Sequence, residues 1–260
     1  MGILNITPDS FFDGGHYLDP EAASAQALRL VEEGADILDL GAESTRPGAL
    51  PVTDQEELKR LLPVLERIRK EVPVPISIDT VRPEVAKRCL EAGADIINDV
   101  SGLKRSGSDM AKVVKEFGAG IILMHSRGTP ETMQDLTDYG EVVPDVMGEL
   151  RESIQIATDA GIERERIVVD PGLGFAKTPE QNIEILKKIS LFRELGFPVL
   201  VGPSQKSFIG KITGRKAKDR SFGTAACVAA CMRGGVQILR VHEVGAMRDV
   251  VLMTEAIKGD

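Results

Sequence analysis

Asn5, Asp79, Asn98, Asp170 and Lys206 each stand at or just beyond the end of a short apolar run, in GILNITPDS, PISIDT, DIINDVSG, IVVDPGLGFAK and PVLVGPSQK. Two carboxylates, two amides and an ammonium suit recognition of a polar heterocycle. Carboxylates accept from ring N–H and amino groups, while an amide and an ammonium serve carbonyls and lone pairs. Any one Asp could instead cap a following helix, as Asp79 could, standing before Thr80 and Pro83. Five such groups converging on one rim would each be a desolvated polar group in need of a partner, which favours a binding site over a set of caps. In QILRVHEV, Arg240 and His242 lie two apart. On a strand they point to the same side and offer two donors to an anion; a strand-end ion pair involving Glu243 is the plainer alternative.

Convergence of these groups depends on the elements that carry them. Eight times an apolar strand-like run ends in polar or Gly/Pro residues and a helix-like segment follows. Parallel strands buried on both faces read as nearly continuous Val/Ile/Leu runs. In a (β/α)8 barrel all eight strand ends open on one face, where active sites lie. The fold class is therefore read as α/β, a (β/α)8 TIM barrel forming one domain over residues 1–260. Strands are expected at 2–6, 36–40, 75–78, 96–98, 120–124, 167–170, 198–201 and 237–241. Helices are expected at 20–33, 54–71 with Thr53 as cap, 83–92, 108–117, 139–160, 179–195, 222–233 and 246–257. The connections after the first two strands exceed the roughly two to six residues usual for βα loops and read as active-site flaps. Phosphate-type groups commonly bind near the last two strands of such a barrel, which favours an anion site at Arg240 and His242, with Asn5 on the neighbouring first strand.

The composition excludes several classes. At 42% apolar and 28% charged residues the chain has the balance of a soluble globular protein, and no run approaches the ~20 apolar residues of a membrane span. A net charge of −8, from 32 basic and 40 acidic residues, argues against nucleic acid as the main partner. It leaves room for a small anionic substrate held by local donors. Met1 opens directly on a strand with no basic segment or cleavage site before it, so a cytoplasmic setting is expected; the short start leaves open that a natural N-terminal strand extension is missing. Cys89, Cys227 and Cys231 are too few for a disulfide framework and read as buried, reduced thiols. His16, His125 and His242 show no zinc-ligand spacing. DPGLGFAK and SFFDGG match no phosphate loop, and no G-x-S-x-G elbow supports a Ser nucleophile. Met124, before His125, reads as an apolar wall.

Taken in order, GILNITPDSFFDGG, GAESTRPG, SIDT, NDVSG, MH, DPGLGFAKT, the S-x-K-S-F-I-G stretch and RVH resemble the dihydropteroate synthase family almost from end to end. The resemblance implies a TIM barrel that joins 6-hydroxymethyl-7,8-dihydropterin pyrophosphate to 4-aminobenzoate, forming 7,8-dihydropteroate and pyrophosphate for folate synthesis. It also implies a sulfonamide target and a homodimer. By position, Asp79, Asn98, Asp170 and Lys206 resemble the family's pterin-binding set, with Met124 beside them and Arg240 stacking on the pterin. Asn5, Arg46, Arg240 and His242 resemble the pyrophosphate site, with Asn5 also a ligand of Mg2+, the implied cofactor. Thr7 to Phe11 and Ser44 to Pro47 match the two flaps that close over aminobenzoate. Phe11, Thr45, Pro47, Ser204 and Gln205 fall in that pocket, Ser204 at the start of a helix whose backbone donors receive the carboxylate. Asp79, Asp170, Lys206, Arg240 and Arg46 are the implied catalytic set.

One position departs. Where the family usually reads S-R-K, this chain has Ser204-Gln205-Lys206, so the Arg flanking the aminobenzoate ring is Gln205; Ala42, where many members have Gly, is a milder change. Gln205 admits a non-catalytic pterin-binding paralogue as an alternative. A methyltetrahydrofolate methyltransferase-type domain shares the barrel and the Asn and Asp contacts, but SFFDGG, ESTRPG and Lys206 speak against it.

Overall fold

The computed structural model describes residues 1–6, 12–13, 17–18, 20–43 and 52–259, with residues 12–13 and 17–18 as backbone alone. Its parallel strands are β1 (Gly2–Asn5), β4 (Leu38–Gly41), β5 (Ile76–Asp79), β6 (Ile96–Asp99), β7 (Gly120–Met124), β8 (Ile167–Asp170), β9 (Leu200–Val201) and β10 (Ile238–Leu239). The first six pair side by side in that order, and β9 pairs with β10. Bridges Val169 to Val199 and Val241 to Gly2 join the two sets and close the ring into an eight-stranded parallel barrel. A two-residue hairpin, β2 (Phe12–Asp13) with β3 (Tyr17–Leu18), interrupts the first long connection.

Outside the barrel run α1 (Pro20–Glu32), α2 (Asp54–Glu71), α3 (Pro83–Glu91), α4 (Gly107–Phe117), α5 (Val142–Asp159), α6 (Pro179–Lys187), α7 (Ser207–Thr213), α8 (Ser221–Arg233) and α9 (Val244–Lys258). Thr53 caps α2 by accepting from Glu56 N, as its position predicts. Thr178 opens α6 with a capping box completed by Gln181. The expected helix at 179–195 is instead two pieces. Lys188, at φ −109° and ψ 19°, ends α6, and 189–195 continues as a 3-10 helix. The expected helix at 139–160 starts only at Val142, and the helix implied at Ser204 is the seven-residue α7.

Side chains alternate across each strand, so one set faces the helices and the other fills the barrel. Ile121 and Leu123 join the large core under the helices. Inside the barrel, Met1, Ile122 and Leu200 pack with Ile37, Ile96, Val168 and Ile238 as an apolar floor. Two residues on from Ile37, Ile96, Ile122, Val168 and Ile238 stand Asp39, Asn98, Met124, Asp170 and Arg240. The same alternation that buries the floor therefore sets polar groups above it. Cys89 and Cys231 are buried, Cys227 is half-buried and all three are free, as expected of reduced thiols.

Candidate functional site

Strand register fixes the rim. Asn5 lies opposite Gly41, Gly41 opposite Asp79, and Asp79 opposite Asn98, while Met124 lies opposite Asp170. At the centre sits Arg240, one residue beyond β10. Its Nε donates to Asp39 Oδ2 at 2.6 Å and its Nη2 to Asp79 Oδ2 at 3.0 Å. Asn98 Nδ2 donates to Asp39 Oδ2 at 3.3 Å. Asp39, Asp79, Asn98 and Arg240, from four strands, thus form one hydrogen-bonded group. Asp170 is buried, and its Oδ1 accepts from Gly172 N at 2.7 Å. Lys206 Nζ stands 4.3 Å from the centroid of the Phe175 ring, a cation–π contact.

Burial shapes the protonation of this group. Desolvation pushes Asp79 up to about 7; the Arg240 cation opposes the shift and the Asp39 carboxylate reinforces it. Asp170 is pushed up to about 6, again by burial first, with the Gly172 N–H and the charges of Lys206 and Arg240 pulling the other way. Lys206 is lowered to about 8 by burial and by Arg240, against the attraction of Asp170 and Asp79. Two carboxylates poised near neutrality beside two cations are what a site needs to exchange donors and acceptors with a charged or polar ligand.

Around this cluster, His242 and Ser204 meet: Ser204 Oγ lies 2.8 Å from His242 Nδ1 and accepts from His242 N at 3.2 Å. Glu243 accepts from Ser221 Oγ at 2.6 Å, and among the described residues no ion pair joins it to Arg240 or His242. The helix expected to begin at Ser204 begins at Ser207. Gln205 has φ +58° and Lys206 is an extended N-cap, so helical backbone cannot start before them. Ser204 is therefore a buried partner of His242 rather than the first residue of a helix. Gln205 is half-buried; its N–H donates to Thr224 Oγ1 and its carbonyl accepts from Arg220 Nη1. Phe11, Thr45, Arg46 and Pro47 lie outside the described residues. Beside Asp79 and Phe175 a cleft opens among the loops after β5, β6 and β7, with Val100, Arg105, Thr129 and Met133 on its walls.

The sequence reading missed Asp39. Its only local signal was a carboxylate between Leu38 and Leu40 in an otherwise apolar strand, which needs a buried partner. Lys177, His125 and Glu149, which form a charged group under the loop after β8, were also not read as part of the site.

The architecture and the rim define a class: a closed parallel barrel whose strand ends gather carboxylate, amide and cationic groups for a polar, multi-donor ligand. Residues 1–242 match the family described as pterin binding enzyme. The dihydropteroate synthase of Synechocystis is 47% identical over 258 residues, 99% of this chain and 89% of that protein. Among solved structures, Xanthomonas albilineans dihydropteroate synthase with 4-aminobenzoic acid superposes with a TM-score of 0.92 at 42% identity, covering 100% of this chain and 92% of the other. The Yersinia pestis enzyme in complex with a sulfonamide drug gives 0.93 at 35% identity, covering 99% and 93%. The chain belongs to the pterin-binding enzyme family and, within it, to the dihydropteroate synthases.

Proposed function

We propose that this protein condenses 6-hydroxymethyl-7,8-dihydropterin pyrophosphate with 4-aminobenzoate, releasing pyrophosphate and forming 7,8-dihydropteroate. The observation that carries the reading is the polar rim around Arg240, with Asn98 and Asp170 buried and Asp79 and Lys206 partly buried, on the strand ends where the family's pterin set falls. In this reading Asp79 and Asp170 accept from the pterin ring N–H and amino groups, and Asn98 and Lys206 complete the polar edge. Arg240 holds Asp79 by one oxygen, Oδ2, which leaves Oδ1 for the ligand. Met124 is the apolar wall beside Asp170.

The chemistry is ionisation followed by capture. Arg240 and His242, with Arg46, stabilise negative charge as the diphosphate leaves. Asp79 and Asp170 stabilise the electron-poor pterin, and the aniline nitrogen attacks its methylene carbon. No protein nucleophile takes part. Among the described residues no three His, Cys, Asp or Glu side chains gather to hold a metal. Mg2+ fits the site nonetheless through the amide oxygen of Asn5, since this ion takes few protein ligands and completes its shell with phosphate and water. When bound, it would offset charge on the diphosphate. Phe11, Thr45, Pro47, Ser204 and Gln205 are proposed to meet aminobenzoate, with Ser204 acting through its contact with His242 rather than as a helix start.

No helix among the described residues is long and apolar enough to cross a membrane. A cytoplasmic setting, one barrel domain over residues 1–260, no nucleic-acid partner and a homodimer complete the proposal. Initial-rate assays with both substrates and Mg2+ test it: equimolar dihydropteroate and pyrophosphate are expected. Pterin binding without product would instead identify the non-catalytic paralogue that Gln205 allows.

A further inference from the structure

Beneath the loop that follows β8 lies a charge that the proposed chemistry does not use. Lys177 is buried, and its ammonium has three acceptors: the carbonyl of Gly172 at 3.0 Å, the carbonyl of Phe175 at 2.9 Å, and His125 Nδ1 at 2.9 Å. An ammonium has three donors and no acceptor, so the three contacts saturate it. They also assign the His125 tautomer, with Nδ1 accepting and the proton on Nε2, which faces Glu149 Oε2 at 3.2 Å. Burial lowers His125 to about 4, so the ring is neutral at neutral pH. Burial lowers Lys177 to about 7, with Asp170 and Glu149 opposing.

The segment that Lys177 grips is irregular. Gly172, Gly174 and Ala176 all have positive φ, at 70°, 83° and 48°. Ala is rarely found there without outside support. Asn182 Oδ1 accepts from Gly174 N at 2.6 Å, and Tyr139 donates to the Ala176 carbonyl at 2.9 Å. Two links run from this turn to the rim. The N–H of Gly172 orients Asp170, and the ring of Phe175 carries Lys206. The two carbonyls held by Lys177 belong to these same two residues.

We propose that Lys177 and His125 are a positioning pair for the pterin site: Lys177 clamps the carbonyls of Gly172 and Phe175, and so fixes the directions of Asp170 and Lys206 without touching the ligand. His125 supplies the third acceptor that keeps the ammonium in place, and its own N–H donates to the Asp170 carbonyl at 2.8 Å, tying the clamp to the end of β8.

The inference rests on the pterin reading above, and calorimetry with 6-hydroxymethylpterin separates the two. Failure of the unaltered protein to bind this probe overturns the pterin reading, and the positioning role with it. If it binds, Lys177→Met is expected to weaken binding about tenfold or more, the loss of a charge-assisted contact. KM for the pterin pyrophosphate should rise in parallel, while KM for 4-aminobenzoate at saturating first substrate stays within about twofold. Tyr139→Phe, which removes a different support of the same turn, should lower thermal stability and leave pterin affinity unchanged. His125 gives an arm that does not depend on the folding of Lys177→Met. His125→Asn keeps an acceptor near Nδ1 and should bind pterin almost as the original does, whereas His125→Leu should lose affinity. Normal pterin affinity in folded Lys177→Met, or equal affinities for the two His125 variants, would overturn the proposal.

Discussion

At the scale of single residues, the site is a competition between burial and pairing. Asp79 and Asp170 are held up to about 7 and about 6 because they are desolvated, yet a pterin needs both as carboxylates. Protons therefore compete with the ligand. Pterin affinity is expected to fall by about twentyfold as pH drops from about 8 to about 6, with proton release on binding at neutral pH. Titration in buffers of different ionisation enthalpy measures that release, and a flat affinity over this range would refute the assignment. The same shift has a consequence for stability. A carboxyl whose folded pKa is raised favours the folded state at low pH and loses that advantage as pH rises from about 4 through about 7. Gln205 is the other decisive residue. Its backbone is pinned by Thr224 and Arg220 through main-chain atoms, so exchanging the side chain leaves these contacts intact. Gln205→Arg should lower KM for 4-aminobenzoate and tighten sulfonamide inhibition, by about tenfold if the guanidinium is partly desolvated, with pterin affinity unchanged. Equal constants for the two proteins would show that position 205 does not reach the second substrate.

At the scale of elements, the strand ends were legible and the turns were not. β7 and β8 lie where the apolar runs predict, because parallel strands announce themselves by unbroken Val/Ile/Leu and end at a polar residue. Asp79, Asn98 and Asp170 were readable for that reason. Asp39 was hidden because it lies within such a run rather than at its end. Lys177 was hidden because its partner His125 is 52 residues away and nothing local marks the pairing. The helix implied at Ser204 starts three residues later, as α7, because the backbone at Gln205 is left-handed, and seven residues carry too little periodicity to mark that start. The turn after β8 gives the sharpest test at this scale. A Cβ on Gly172 would lie 1.9 Å from the His125 carbonyl oxygen, and its φ of +70° already disfavours any side chain. Gly172→Ala is expected to cost at least ~2 kcal/mol in thermal unfolding. Pterin binding should fall as well, since the Gly172 N–H orients Asp170. An unchanged melting temperature would contradict the geometry of this turn.

Across the whole molecule, closure of the barrel turns eight separate strand ends into one site. Arg240 bonds Asp39 and Asp79, 201 and 161 residues earlier in the chain, and only a closed ring brings these three together. The outer face of the last helices lies away from this site. Leu252, Met253 and Ile257 on α9 and Phe222 on α8 are exposed apolar side chains. If the protein forms the proposed homodimer through this face, Met253→Glu with Ile257→Glu should give a monomer in sedimentation at micromolar concentration where the unaltered protein is a dimer; a dimer in both proteins would place the interface elsewhere, and a monomer in both would refute the dimer. The central claim is that the polar rim at the barrel mouth binds a pterin, and calorimetric titration of 6-hydroxymethylpterin into the protein and its Asp170→Asn variant tests it most directly. A buried charge-assisted hydrogen bond contributes roughly 1.5–3 kcal/mol, so the variant should bind about tenfold or more weakly. Equal affinity in the two proteins would remove Asp170 from the site and contradict the account.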